Sequence, residues 1–516
     1  MKRLAIRGAM ILLLVIAMLA VIACGNTSEV AAVDEEGVYE FSFAYGMWDL
    51  SRGRIPVEEQ VNSPYYKYVG EKTGAVPQTI SWEWDGAEGY LRGLRLMLAS
   101  GDLPDALKPY DVQLTKELID EGVAIPLDDL LAEHGQNILA MLTDSEWETV
   151  RSQSPDGKIY YIPEVNAADR YPVGLIRQDW LDRVGLPMPT TRDEFVNVLR
   201  AFRDQDANGD GDPNNEIPTS GRAGLRWLDD MFMMHGVSMF EGFPLWRWDE
   251  TRGEMVSDQI SDEMRESIAF LRMLYAERLI DDVFVIQSAS DWIAKISSSR
   301  VGHYFHLPST LEIFSGYRAN EPDGRWAYMA PLSVNGQQPR QFMFQRAGVP
   351  GMMITTAATN PERIIQWYDW AMTDEGSMFN WLGIEGEDWK MTGGEVEVID
   401  ATRTPFYSFV PTVTKYVADA TRMTQFGEEK VAIIEQAHDN VYFGPDSLGM
   451  PNSVYDGYED FLPSVAALYR ETASRMVTGE LSLDQWDEFV QQWYREGGQV
   501  VTDRATAWYK EVHNLN

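Results

Sequence analysis

Residues 191–216 constrain the fold more than any other stretch, because an amphipathic helix there runs straight into a loop of alternating oxygen-bearing side chains. Thr191-Arg192-Asp193-Glu194 fits the capping box, in which the Thr hydroxyl takes the backbone N–H three residues on and the Glu reaches back. Phe195, Val198, Leu199 and Phe202 then recur at helical spacing, which predicts a helix buried on one face.

Directly after it, Asp206, Asn208 and Asp210 alternate with Ala207 and Gly209, and Gly211, Asp212 and Glu216 follow. This pattern resembles an EF-hand-type calcium loop, in which alternate oxygen ligands converge on a hard cation and a Gly permits the sharp turn. It departs from that loop at the far end: Ile217 stands where the bidentate Glu belongs, with Glu216 one place earlier. No second amphipathic helix follows, since Pro218 and Gly221 come too soon. The expectation is one structural Ca2+ held by Asp206, Asn208, Asp210, Asp212 and Glu216, with the residue that completes the shell left open among Asp212, Asn214 and Glu216. A solvated Asp/Asn/Gly turn is the alternative.

The chain starts with an export signal. Lys2, Arg3 and Arg7 precede an apolar run over residues 9–23, too short for a spanning helix, and Val21-Ile22-Ala23-Cys24 fits a lipobox. Cys24 is the only cysteine, so internal disulfides and Cys-based metal sites are excluded and lipidation is its expected use. Residues 1–23 are thus read as a lipoprotein signal peptide, and residues 24–38 as the lipidated Cys followed by a small, polar, acidic tether. The expected place is extracytoplasmic, anchored to the membrane.

A formal net charge of −37 makes nucleic acid an unlikely partner, and it bears on solubility rather than on fold. With 516 residues, 45% of them hydrophobic, the chain can bury a large core and split into lobes. Strands are expected over 39–45 and 79–84, a helix over 90–99 ending at Gly101, and helices over 461–477 and 482–498 with their tryptophans as core. Such βαβ order predicts an α/β body of parallel sheets with helices on both faces. Phosphate-loop, nucleophile-elbow and zinc-helix signatures are all missing, and His303 and His306 are expected on opposite faces of a strand. A carboxylate pair suited to glycoside cleavage needs spatial rather than sequence proximity, so an enzyme stays open as the rival reading.

Three segments carry a family resemblance: DGKIYYIP at 156–163, DWLDRVGLPMPTTRDEF at 179–195, and DANGDGDPNNEIP at 206–218. Together with GMMITTAATNPERIIQWYDWAMTDEG at 351–376 and NWLGIEGEDWK at 380–390, they resemble the large lipid-anchored extracellular solute-binding proteins of carbohydrate ABC importers, the family-1, LipO-like group that includes alginate-binding proteins. The resemblance implies an α/β, two-lobed, periplasmic-binding-protein-like (type II) fold with a hinge and an interlobe ligand cleft. It implies lobe one at 39–166 plus 327–394, and lobe two, with the calcium loop at 206–216, at 167–326 plus 395–516.

It further implies an oligosaccharide ligand, an ABC permease as membrane partner, a monomeric state and no catalysis; a non-sugar solute such as a peptide is the other ligand class. Sugar rings stack their C–H faces on aromatic rings and offer hydroxyls to charged and amide groups. Residues just after predicted strands, where related proteins place ligand contacts, are therefore the expected ligand set: Trp48, Asp49, Arg52, Tyr110, Asp111, Arg226, Trp227, Tyr304 and His306.

Overall fold

Strand β1 (Tyr39–Ala44) turns Tyr39, Phe41 and Phe43 inward, and the Trp367 ring of helix Pro361–Ala371 meets Phe41 edge-on at 5.2 Å between centroids. A computed structural model describes residues 37–45, 63–80, 82, 88–109, 112–163, 172–308, 311, 316–336, 341–343, 350–393, 395–399, 427–438, 441–443, 446–447, 450–458 and 460–515. The lipidation candidate Cys24 and the ligand candidates Trp48, Asp49, Arg52, Tyr110 and Asp111 lie outside these residues.

Around β1 a five-stranded sheet forms with β2 (Ala75–Ile80), β3 (Ala106–Leu107), β4 (Ile162–Pro163) and β13 (Pro350–Ile354), in the order β2-β1-β3-β13-β4. The second strand starts four residues earlier than the sequence pattern suggested and contains Pro77. Proline lacks the ladder N–H, and it is accommodated because β2 is the edge of the sheet. A second sheet joins β5 (Val173–Arg177), β10 (His303–His306) and β11 (Trp326–Met329) in the order β10-β5-β11. Between them in the chain, β6 (Met239–Phe240) with β7 (Phe243–Pro244) and β8 (Trp246–Asp249) with β9 (Glu254–Ser257) make two small hairpins.

The expectation of parallel sheets holds for β1 with its neighbours β2 and β3, and for the short pair Gln341–Met343 with Val441–Phe443. Strand β13 is antiparallel to both β3 and β4, and the second sheet is antiparallel throughout. The reason is topological: β13 returns from the second half of the molecule, so it enters the first sheet at the end where the parallel strands leave.

Each sheet has its own core, one built on Phe41, Phe43, Tyr90, Ile354 and Ile365, the other on Trp180, Phe195, Phe202, Phe232, Phe284 and Met476. Helix Arg192–Asp204 carries the complete capping box, with the Glu194 N–H donating to Thr191 Oγ1 at 3.2 Å, and it buries Phe195, Val198, Leu199 and Phe202. Helix Phe461–Thr478 packs across helix Asp262–Ala276, and Trp486 and Trp493 are buried as core. Leu332 and Val334 still pack in the second core, so the second lobe runs past the boundary expected at residue 327. Likewise β14 (Trp389–Thr392) pairs with β15 (Glu395–Val398), so a boundary at 395 would cut a hairpin.

Candidate functional site

Register fixes which ends of the two sheets meet the connections between lobes. In the first sheet, Ala44, Ile80, Leu107 and Pro163 close the strands that run in β1's direction, and the chain leaves for the second sheet right after Pro163. In the second, His306 pairs with Val173 and Met329 with Gly174, so β5 begins and β10 and β11 end on the side of that crossing. A ligand held between the lobes would touch these two ends, the usual place for one in open α/β sheets.

On the second sheet's end, His306 and Trp227 lie ring against ring, 3.8 Å between centroids, and Trp292 lies 5.5 Å from His306. His306 is 2% exposed, and burial, helped by the positive charge of Arg222, holds its imidazole well below the ordinary range, so it is neutral. His303 belongs to the other face, as the strand period requires: its Nδ1 meets Thr219 Oγ1 at 2.8 Å and its Nε2 lies 3.2 Å from Asp230. Tyr304, two residues before His306 and on the same strand face, lies edge-on to Trp326 at 4.7 Å and to Trp292 at 5.8 Å and is fully buried, which makes it a core residue. Arg226 is half-buried, 3.9 Å from Glu241. It sits in a turn, where Gly224, Leu225 and Trp227 all adopt positive φ, 75°, 62° and 62°.

The acidic loop lies at the opposite end of β10. Ile217 N–H donates to Arg300 O at 2.7 Å and Gly302 N–H to Ile217 O at 3.0 Å, which ties the loop's exit to the residues just before His303. With about 3.3 Å per residue along a strand, roughly 10 Å separate it from His306. Inside the loop the Asn208 amide donates to Asp210 at 3.1 Å and to Asn215 at 2.9 Å, and Asn215 donates to Asp210 at 2.7 Å. Those donors, that of Asn215 foremost, hold the Asp210 carboxyl below its ordinary range.

Asp206 Oδ1 and Glu216 Oε2 are buried and have no donor among the described residues. Burial, with Asp206 adding repulsion, raises the Glu216 carboxyl. Asp212 turns outward and caps Asn214 at 3.2 Å. Among the described residues no three His, Cys, Asp or Glu side chains converge as a metal shell.

The family model of bacterial extracellular solute-binding proteins matches residues 57–378, more than half of the chain. This chain belongs to that family. It is similar to lipoprotein LipO of Bacillus subtilis (strain 168), 21% identical over 479 residues that cover 88% of this chain and 90% of LipO. It is similar also to the fructooligosaccharide ABC transporter substrate-binding protein FusA of Streptococcus pneumoniae serotype 4, 27% identical over 309 residues, 57% of this chain and 55% of FusA.

Among solved structures, alginate-binding protein AlgQ2 without calcium ion superposes with a TM-score of 0.70 at 21% identity, covering 94% of this chain and 100% of that one. An EF-hand mutant of FusA in complex with fructo-nystose superposes with a TM-score of 0.70 at 19% identity, covering 92% and 99%. These likenesses establish the two-lobed fold.

Sequence reading of this solute-binding protein missed several residues that the fold brings to the same places. Lys108 is buried directly after β3, its ammonium 5.4 Å from the ring of Tyr45, which directly follows β1. Asn215 joins the acidic loop although it lies outside the alternating pattern. Trp292 reaches His306 from helix Ala289–Ser297, and its spacing from Ile296 marked only a buried face. Asp229 and Glu241 flank the Arg226–Trp227 turn. Two acids twelve residues apart carry no periodic signal, and only the fold pairs them.

Proposed function

We propose that this chain is an extracytoplasmic receptor that captures an oligosaccharide between its two lobes and hands it to an ABC permease. The observation that carries this reading is the Trp227–His306–Trp292 ring cluster at the end of the second sheet that faces the interlobe crossing, with Arg226 beside it. With Trp227 4%, His306 2% and Trp292 1% exposed, the rings form the floor under that face, and the half-buried Arg226 guanidinium suits hydroxyls or a uronate carboxylate. Trp227 Nε1 is buried with no acceptor among the described residues, a donor that a sugar oxygen would satisfy. The relatives named for fructooligosaccharide and alginate support the same class.

Ligand bridging both lobes would favour a closed form, because only that form makes both sets of contacts. No bond is made or broken in this cycle, and the transport energy comes from other subunits. Trp48, Asp49, Arg52, Tyr110 and Asp111 are the proposed contacts from lobe one.

Ca2+ is the proposed structural ion of the acidic loop. Asp206 Oδ1 and Glu216 Oε2, buried without donors, fit the need of a hard cation for oxygen ligands, as do Asp210 and the amide oxygens of Asn208 and Asn215. The ion would stiffen the loop without touching ligand. Cys24 is the proposed lipid attachment point, and Cys24→Ser is expected to release the protein from membranes; a variant that still pellets with them contradicts the anchor.

Ligand class is tested by a melting-temperature screen of the body after Cys24, stripped of carried-over solute, against neutral and acidic oligosaccharides and peptides. A rise of several degrees with one oligosaccharide class and no hydrolysis is expected. Cleavage of the sugar, or a rise with peptide only, overturns the assignment.

A further inference from the structure

We propose that Asp229 is the positioning residue of the Leu225–Trp227 turn, holding in place the face that lobe two turns toward lobe one. That this face meets ligand rests on the reading above; that Asp229 sets its geometry does not.

The turn is strained, and something must over-determine it. Leu225 and Trp227 are bulky L-residues at φ 62°, and Glu241, packed alongside, stands at φ 43°. Two backbone bonds and one from a side-chain amide account for one side: Arg222 N–H donates to Arg226 O at 2.9 Å, Ala223 N–H to Gln287 O at 3.2 Å, and Gln287 Nε2 to Gly221 O at 2.6 Å.

The other side is Gly242. Its backbone lies so flat on the turn that a Cβ there would fall 2.8 Å from Gly224 O and 2.9 Å from Arg226 N. What fixes Gly242 is Asp229, whose Oδ1 accepts the Gly242 N–H at 2.7 Å. Asp229 is 1% exposed, and its Oδ2 has no partner among the described residues.

The charges around it explain why the carboxyl can serve there. Asp230 follows it, Glu241 faces it from the hairpin, and Tyr469 approaches from helix Phe461–Thr478 with Arg470 beyond. Arg226 and Arg222 act on Glu241. Burial above all, and then its acidic neighbours, push the Asp229 carboxyl up to about 8. At neutral pH it is therefore a neutral acid, which fits a site with an unpartnered Oδ2. Ionisation would set a second negative charge against Glu241, and Glu241 is joined directly to Gly242, so the turn carrying Trp227 would shift.

The test needs no ligand, so its failure is separate from failure of the transport reading. The full protein is labelled with fluorotryptophan, and the Trp227 fluorine line is assigned among 17 tryptophans by its loss in Trp227→Phe. In the native protein that line is expected to move between about pH 6 and about pH 10 with a midpoint near pH 8. His306, already neutral, and Tyr469, raised well above 10, do not titrate there.

Asp229→Asn, which keeps shape and removes the titration, is expected to leave a line that does not move with pH. Glu241→Gln is expected to keep the movement with a lower midpoint. A Trp227 line that ignores pH in the native protein, or that moves identically in Asp229→Asn, overturns the proposal.

Discussion

Two acidic clusters of the second lobe differ in what neutralises them. The loop around Asp206 and Glu216 is half open, with Asn208, Asn215 and three backbone N–H groups aimed at its carboxylates. Asp229 is closed in, with the Gly242 N–H on its Oδ1, while Glu241 beside it stays partly exposed with the Arg226 guanidinium 3.9 Å away. Access decides the counter-charge. An open cluster with several oxygens can strip water from a cation and replace it, whereas a buried carboxyl with no room for ligands lowers its energy by keeping a proton.

The largest expected effect tests the buried half of that contrast. Asp229 has a folded value of about 8 against an ordinary 3.8, so between those limits the folded protein holds a proton that the unfolded chain has lost. Stability from this group is fully present below pH 4, falls by about 1.4 kcal/mol per pH unit as pH rises toward 8, and is flat above. Urea unfolding of native protein and Asp229→Asn, compared at several pH values, isolates this slope from the other acids. A difference between the two that does not vary with pH breaks the comparison, because Asp229 would then be ionised in both states.

Next in size is the cation half. Free Ca2+ at about 100 times its dissociation constant stabilises the folded state by about 2.7 kcal/mol. Chelation is expected to lower the melting temperature by several degrees, and Asp206→Ala with Asp210→Ala to reproduce that loss with no further response to chelator. Asp229→Asn is expected to retain the full response, since its cluster holds no ion. Calorimetry with and without Ca2+ checks both, and identical melting curves reduce the loop to a solvated turn.

Much of this was legible in residue order because it is local. The Thr191–Glu194 box, the Phe195–Phe202 face and the Asp206–Asp210 alternation each span a few turns of chain, and each forms as its spacing demands. Strand direction was not legible: β13 is separated from β3 by the first part of the second lobe, and only the crossing shows that it enters the sheet reversed. The same holds for the site. His306 and Trp227 could be named as aromatics near predicted strand ends, but Tyr304, chosen for the same reason and on the same strand face as His306, packs against Trp292 and Trp326 in the core, a depth that spacing does not encode. Asp229 was invisible because its meaning depends on burial and on a glycine thirteen residues away.

The smallest expected effect decides which acid completes the cation shell. Asp212, in the alternating pattern, caps Asn214 outside the loop, while Glu216 turns a buried, donorless oxygen toward Asp206. Replacing Glu216 by Gln removes a carboxyl that burial and Asp206 both disfavour, so without Ca2+ the variant should be more stable than the native protein by a few tenths of a kcal/mol, up to about 1. With Ca2+ the order reverses, because the ion loses a charged ligand. Asp212→Asn should change neither state. Paired melting curves in chelator and in Ca2+ read all four cases. If Asp212→Asn weakens the Ca2+ response and Glu216→Gln does not, then Asp212 turns inward on binding, and the loop rearranges around its ion instead of waiting preformed for it.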